Sequence, residues 1–372
     1  MEKFIRHIIP QPVAQAICRT LLHSLWQGLL LALFTGLIML LARPARAALR
    51  YRLLVGALLL YSLSMALTFA LELNSGTVDG SFTAGSGLFP ALNGRFDAVL
   101  KSAHEHAGTI CGVWLLVVAL LQLRLWIGLL MVERLKRYKV KLIKPFWQEK
   151  TKQLCHDLGI RRAVVLLESA IAKVPMVIGF LKPAILVPIG LINAMEPAQV
   201  EAILLHELAH IQRSDYLVNF LQTLLETLFF FNPAVWWLSS LIRAEREHCC
   251  DDLALAHMTN QMTYLKALVH FEEYRLSTPR QAVAFGGSRG VLTRMERIAR
   301  GKNRALGKLE LAILGFVLFL CTLFIAAAPR NPVSSLLKTP SARSKSPVDR
   351  QLEAKRKTEA EAAARSRSNH SP

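Results

Sequence analysis

Apolar residues crowd into four runs, at 21–41, 53–73, 109–131 and 309–328. Each is close to the ~20 residues an α-helix needs to cross a hydrocarbon core. The third is interrupted only by Gln122 and Arg124, and Arg124 lies near one end, where a long side chain can reach the headgroups. Any one run could be a buried core helix, but four in one chain predict a mostly α-helical membrane protein with four transmembrane helices. Ala45-Arg46-Ala47 looks like a cleavage site. The run before it exceeds the ~7–15 apolar residues of a signal peptide, so the first span is read as an anchor. Two shorter segments, 216–231 and 234–242, are broken at Asn232-Pro233 and are each too short to cross alone. They predict a hairpin dipping into or lying on the membrane, with Trp236 and Trp237 at the interface. Packing inside a soluble core is the competing reading.

Between the third and fourth spans the period changes. A helix is expected over 147–158, ending near Gly159, then a strand at 163–167 and a hairpin of 174–180 with 184–189 turning at 181–183. The prolines at 175, 183 and 188 agree with an edge position, either free to hold an extended peptide or covered. The expected division is an N-terminal membrane region (1–131), a folded domain including the apolar hairpin (132–308), a last span (309–328) and a basic tail (329–372) poor in core-forming residues, read as disordered or as a weak charged helix around 349–365.

With 53% hydrophobic residues and a mean hydropathy of +0.34, the 372-residue chain suits a bilayer. Its formal net charge of +19 needs no nucleic acid, for no nucleic-acid-binding motif accompanies it. Much of the charge reads as topology signal. Arg43, Arg46, Arg50 and Arg52 follow span one, while Arg134, Lys136, Arg137, Lys139, Lys141 and Lys144 follow span three. Both loops are therefore expected on the cytoplasmic side. The loop between spans two and three, poor in basic residues, is expected outside. Arg294, Arg297, Arg300, Lys302, Arg304 and Lys308 precede the last span and outweigh the basic residues after it, which leaves the tail external. The six cysteines suggest no disulfide framework. Cys249 and Cys250, adjacent on a helix, point about 100° apart and are expected to pack rather than share an ion.

The chemistry concentrates at His206-Glu207-Leu208-Ala209-His210. Two imidazoles four residues apart share a helical face and can meet one Zn2+ per chain at ~2.0–2.1 Å. Glu207 is then placed to take a proton from water at the metal. Pro197 suits the first turn of this helix. A third ligand is expected from Glu247, whose i+4 partner Asp251 can hydrogen-bond a ligand imidazole. Glu245 and Glu226 are the rivals, and a solvated charged helix face is the alternative for the whole cluster. Asp215 could orient His210, pair with Arg213, or be an ordinary helix-end acid. Arg243, Arg246 and His257 are the unranked candidates to donate to an oxyanion.

These segments resemble the BlaR/MecR-type membrane metallopeptidases. The resemblance rests on 206–210, Arg213-Ser214-Asp215-Tyr216, Phe231-Asn232-Pro233-Ala234-Val235-Trp236-Trp237 and Arg243-Ala244-Glu245-Arg246-Glu247-His248-Cys249-Cys250-Asp251. Upstream, Pro175-Met176-Val177-Ile178-Gly179-Phe180, Lys182-Pro183 and Leu186-Val187-Pro188 resemble the family's strand segment, and His23-Ser24-Leu25-Trp26-Gln27-Gly28 its first span. It covers about residues 20–330 and implies a gluzincin-type α+β zinc peptidase domain in which Glu247 and Asp251 form the E-x-x-x-D pair. It departs at Asn232, where a His before the Pro would be expected. The implied substrate is a cytoplasmic protein, such as a winged-helix repressor, with self-cleavage as a second outcome and a homodimer left open. A membrane quality-control protease and a non-catalytic zinc-bearing scaffold are the alternatives. Ser335-Leu336-Leu337-Lys338 matches S-x-x-K, but only the stretch 339–372 follows it, so no penicillin binding is expected.

Overall fold

The computed structural model describes residues 10–74, 105–136, 138–172, 174–179, 182–277, 287–301, 303, 306–327 and 355. The loop expected outside (75–104), most of the tail and the S-x-x-K match lie outside the described residues. Helices α1 (Gln11–Leu41), α2 (Ala47–Asn74) and α3 (Ala107–Leu135) cover the first three apolar runs. All three are long and apolar enough to cross a membrane. The fourth run is helix α11 (Lys308–Ala327).

A small mixed sheet follows: β1 (Val140–Leu142), helix α4 (Pro145–Asp157), β2 (Val165–Ser169), β3 (Met176–Ile178) and β4 (Ala184–Pro188). The strand order is β1-β2-β4-β3; β2 and β4 run parallel, and β1 and β3 are antiparallel to their neighbours. Every residue of the inner strand β4 is buried. Ile185 and Val187 face a core shared with α4 and the helices beyond, whereas Ala184 and Leu186 face a smaller cluster with Ile178. This is the period-two alternation of a strand covered on both faces. The second strand sits two residues later than its apolar run suggested, because pairing of Val165 with Ala184 sets its register. The short β1 falls in a basic stretch with no strand pattern.

A one-turn helix α5 (Leu191–Ala194) leads into α6 (Pro197–Gln212). Pro197 occupies the first turn, where a missing N–H costs nothing, and Oε1 of Gln199 accepts from the Glu196 N–H (3.4 Å). After α6, Ser214 adopts a left-handed φ of 55°. That turn reverses the chain at once into α7 (Asp215–Leu228). Helices α8 (Pro233–Ala256), α9 (Gln261–Ser277) and α10 (Gly287–Arg300) complete the domain.

The apolar hairpin differs from its expected form. The segment read as 234–242 is the first part of the 24-residue helix α8, whose second half is charged and so was not counted with it. Leu225, Phe229, Val235, Leu238, Leu241 and Ile242 are buried in one cluster with Leu31, Leu54, Leu58 and Tyr61 of α1 and α2. Leu217, Phe220 and Trp236 remain exposed. From α3, Nε1 of Trp114 donates to the Leu228 carbonyl (2.9 Å), and Gln122, the apparent flaw in its run, donates to Thr227 (3.2 Å). The hairpin is thus an integral layer against the membrane helices.

Asn232 has a defined role despite departing from the expected His. Its Oδ1 caps α8 by accepting from the Ala234 N–H (3.0 Å), and its Nδ2 donates to the Ser24 carbonyl (2.9 Å) and the Tyr61 hydroxyl (3.2 Å). Gly28 makes room for it: a Cβ there would lie 2.5 Å from that Nδ2. The Ser24 and Gly28 positions of the first span therefore serve packing against α8.

Arg50 corrects the reading of the basic loops. It is a residue of α2, fully buried, with Nη2 2.7 Å from Oε1 of Glu245. Arg294 and Arg297 are likewise mostly buried and paired with Asp251 and Asp252. Acids from α8 neutralise these three cations, so they add little to the charge of the loops they follow or precede.

Candidate metal centre

Helix α6 places His206 and His210 on one face, with ring centroids 5.0 Å apart and the planes nearly perpendicular. Helix α8 brings Glu247 opposite. Its Oε2 lies 3.5 Å from Nε2 of His206 and its Oε1 lies 3.9 Å from Nε2 of His210. One donor atom from each of the three falls within 4.8 Å of the others. Around a tetrahedral ion such atoms would stand roughly 3.3 Å apart, so small side-chain movements suffice. Two imidazole nitrogens and a carboxylate are the donor chemistry of a metallohydrolase centre. Glu245, the rival, points away into its pair with Arg50, and Glu226 pairs with Arg243.

Each imidazole has its other nitrogen occupied. Nδ1 of His206 lies 3.0 Å from the Tyr264 hydroxyl, which donates to Oδ1 of Asp251 (2.6 Å); Asp251 is itself 3.4 Å from that nitrogen. Asp251 therefore supports His206 both directly and through Tyr264. Nδ1 of His210 meets Oδ2 of Asp215 at 2.9 Å. Asp215 also engages Arg213 (3.3 Å), so both contacts considered for it are present. Carboxylates accept, so these contacts put the ring proton on Nδ1 and turn Nε2 toward Glu247.

The charges are held strongly. Burial and Arg294 push His206 down, but Asp251 and Glu247 outweigh them and hold the imidazolium up to about 9. Burial disfavours the charged form of Glu247, yet His206, His210 and Arg294 keep its carboxyl well below the usual range. Asp251 is also held far down against its burial, by Arg294 and His206. A second cluster, His210, Asp215 and Cys250, lies behind the first. Burial and the Asp215 charge push the Cys250 thiol well up, so it remains a donor to Asp215 (3.5 Å). That cluster reads as support for His210.

The centre opens on a cavity of about 1010 Å³ lined by Glu207, Arg246, Tyr216, Phe271 and Arg294, among others. Met176, Val177 and Gly179 form another wall. They belong to or flank β3, the terminal strand of the sheet, whose outer edge has no strand partner among the described residues. Of the three oxyanion candidates only Arg246 lines the cavity. Arg243 is taken by Glu226, and the His257 ring, at the C-terminal end of α8, faces the Leu253 carbonyl (3.0 Å). Arg294 and Tyr264 were not foreseen as site residues. Each sits in an apolar helical stripe, Val291-Arg294-Met295-Ile298 and Tyr264-Ala267-Leu268-Phe271, where a polar group of helical spacing signals a buried partner.

The apolar helices, the joined peptidase layer and the donor set define a membrane metallopeptidase. The chain belongs to the BlaR1 peptidase M56 family, whose sequence pattern matches residues 93–284. It is similar to the regulatory protein BlaR1 of Bacillus licheniformis, 29% identical over 154 residues, which cover 40% of this chain and 25% of that protein. It is also similar to the methicillin resistance mecR1 proteins of Staphylococcus aureus and Staphylococcus epidermidis, each 34% identical over 77 residues, covering 21% of this chain and 13% of theirs. The matches thus span a quarter or less of these relatives.

Proposed function

We propose that this chain is a zinc endopeptidase of a bacterial inner membrane, with four spans including α11 and a gluzincin-type domain facing the cytoplasm. The domain occupies 132–308 in chain order; its main core is its own, and the apolar faces of α7 and α8 share a second cluster with α1 and α2. The observation that carries this reading is the meeting of His206, His210 and Glu247 at the wall of a cavity that Glu207 also faces. Zinc held by those three side chains would polarise a scissile carbonyl and lower the pKa of water to about 7. Glu207 takes a proton from the attacking water and returns it to the leaving amine as the C–N bond breaks. Arg246 is the retained donor for the oxyanion. A substrate backbone lies extended along the outer edge of β3, its main-chain groups pairing with the strand.

The names of the relatives favour a regulatory substrate, and a cytoplasmic winged-helix repressor is the proposed one. The test uses the purified protein with zinc, labelled casein and a candidate winged-helix repressor. Glu207→Gln is expected to keep one zinc per chain and to lose about 10²–10⁴-fold in cleavage rate. Full activity in that variant would end the catalytic reading and leave a zinc-bearing scaffold. Equal cutting of casein and repressor would favour a quality-control protease.

A further inference from the structure

Arg50 and Tyr51 are neighbours on α2, and they reach the two halves of the donor set by separate routes. Adjacent helical residues point about 100° apart, so one helix end can serve two partners. The Tyr51 hydroxyl donates to Oδ1 of Asp215 (3.3 Å), whose Oδ2 meets Nδ1 of His210 (2.9 Å). The Tyr51 ring also carries the Arg213 guanidinium on its face, 4.5 Å from the centroid. Arg213 in turn pairs with Asp215. Tyr51 therefore contacts both Asp215 and the cation that steadies it.

Arg50 acts on the other arm. Its Nη2 lies 2.7 Å from Glu245, two residues before Glu247 on α8. Nε and Nη1 of Arg50 and Oε2 of Glu245 are buried without a hydrogen-bond partner among the described residues. Such a pair is a poor source of stability compared with apolar side chains of the same volume. Its value lies in direction. Glu245 and Glu247 stand about 200° apart around the helix, so pinning one toward α2 turns the other toward the histidines.

We propose that Tyr51 and Arg50 are positioning residues of the peptidase: from a membrane helix they set the orientation of His210, through Asp215, and the rotation of α8 that presents Glu247. This deepens the zinc reading and rests on it. With Oδ1 held by Tyr51, Asp215 can offer Oδ2 to His210 in one orientation only, which fixes the tautomer and the aim of Nε2.

The test is made on full-length protein in detergent micelles loaded with Co2+, whose visible spectrum reports ligand geometry. Tyr51→Phe keeps the ring under Arg213. It is expected to weaken Co2+ binding in chelator competition by about three- to tenfold, to alter the spectrum, and to lower kcat on casein with KM unchanged. Added to Asp215→Asn it should have no further effect, because the route through Asp215 is already cut. Unchanged affinity and spectrum in Tyr51→Phe, or effects that add in full, would overturn this half. Arg50→Met combined with Glu245→Leu is expected to hold the thermal midpoint but shift the spectrum; an unshifted spectrum would overturn the other half. His206→Ala separates the two readings. If the unsubstituted protein takes up no more Co2+ than this variant, the metal reading fails. Thermal unfolding then decides the tether: additive effects of Tyr51→Phe and Asp215→Asn on the midpoint would overturn it.

Discussion

Arg294 on α10 grips Asp251 on α8 through Nε (3.0 Å) and Nη2, and its Nη1 lies 3.5 Å from Oε2 of Glu247. One cation from a distant helix thus neutralises the acid that supports His206 and touches a candidate ligand. All of Asp251 is buried. Arg294→Met would leave that buried carboxylate to Tyr264 and His206 alone and is expected to cost about 3 kcal/mol, read as a fall in the thermal unfolding midpoint. Arg294→Lys should restore only part, since an ammonium cannot reproduce the fork of contacts.

Arg50→Met alone should cost a similar amount, because Glu245 would remain ionised and unpaired in an apolar layer; about 3–5 kcal/mol is expected. Replacing Glu245 by Leu in the same protein should recover most of it. Equal midpoints for the single and double variants would show that an uncompensated Glu245 charge is not the source of the loss.

Gly28→Ala should also destabilise, by about 1–3 kcal/mol. The new methyl would press on an Asn232 side chain held by three hydrogen bonds. Asn232→Ala removes the obstacle along with the helix cap, so the double variant should lose less than the two single losses together. A double-mutant cycle on unfolding midpoints measures this.

Metal removal gives a direct check of the donor set. An excess of chelator is expected to abolish casein cleavage and lower the unfolding midpoint, and zinc should restore both; a ligand present at 1,000 times its Kd stabilises by about 4 kcal/mol. Glu247→Gln should show little response to chelator. Asp251→Asn should still bind zinc, but about 10–100-fold more weakly, as measured by competition with a fluorescent indicator.

What could be read from the chain followed the strength of local pattern. The spacing of His206 and His210 determines which way both rings face on any helix, so the core of the site was legible without coordinates. Glu247 was legible because its i+4 acid is set by the same geometry. Arg50, Arg294 and Tyr264 were not, because their partners lie far along the chain and an arginine in a basic run looks like any other loop charge. The same limit applies to α8. Its apolar start and charged end read as two elements, although one helix carries both the packing against α1 and α2 and the candidate ligand Glu247.

The cluster that joins Leu31, Leu54 and Leu58 to Val235, Leu238 and Ile242 has a practical corollary. Cutting the chain after residue 131 to obtain a soluble catalytic fragment would strip the cover from one whole side of α8 and unmoor the stretch bearing Glu247. Such a fragment would keep the core around Leu166, Ile185 and Leu205 but is expected to aggregate through the uncovered face of α8.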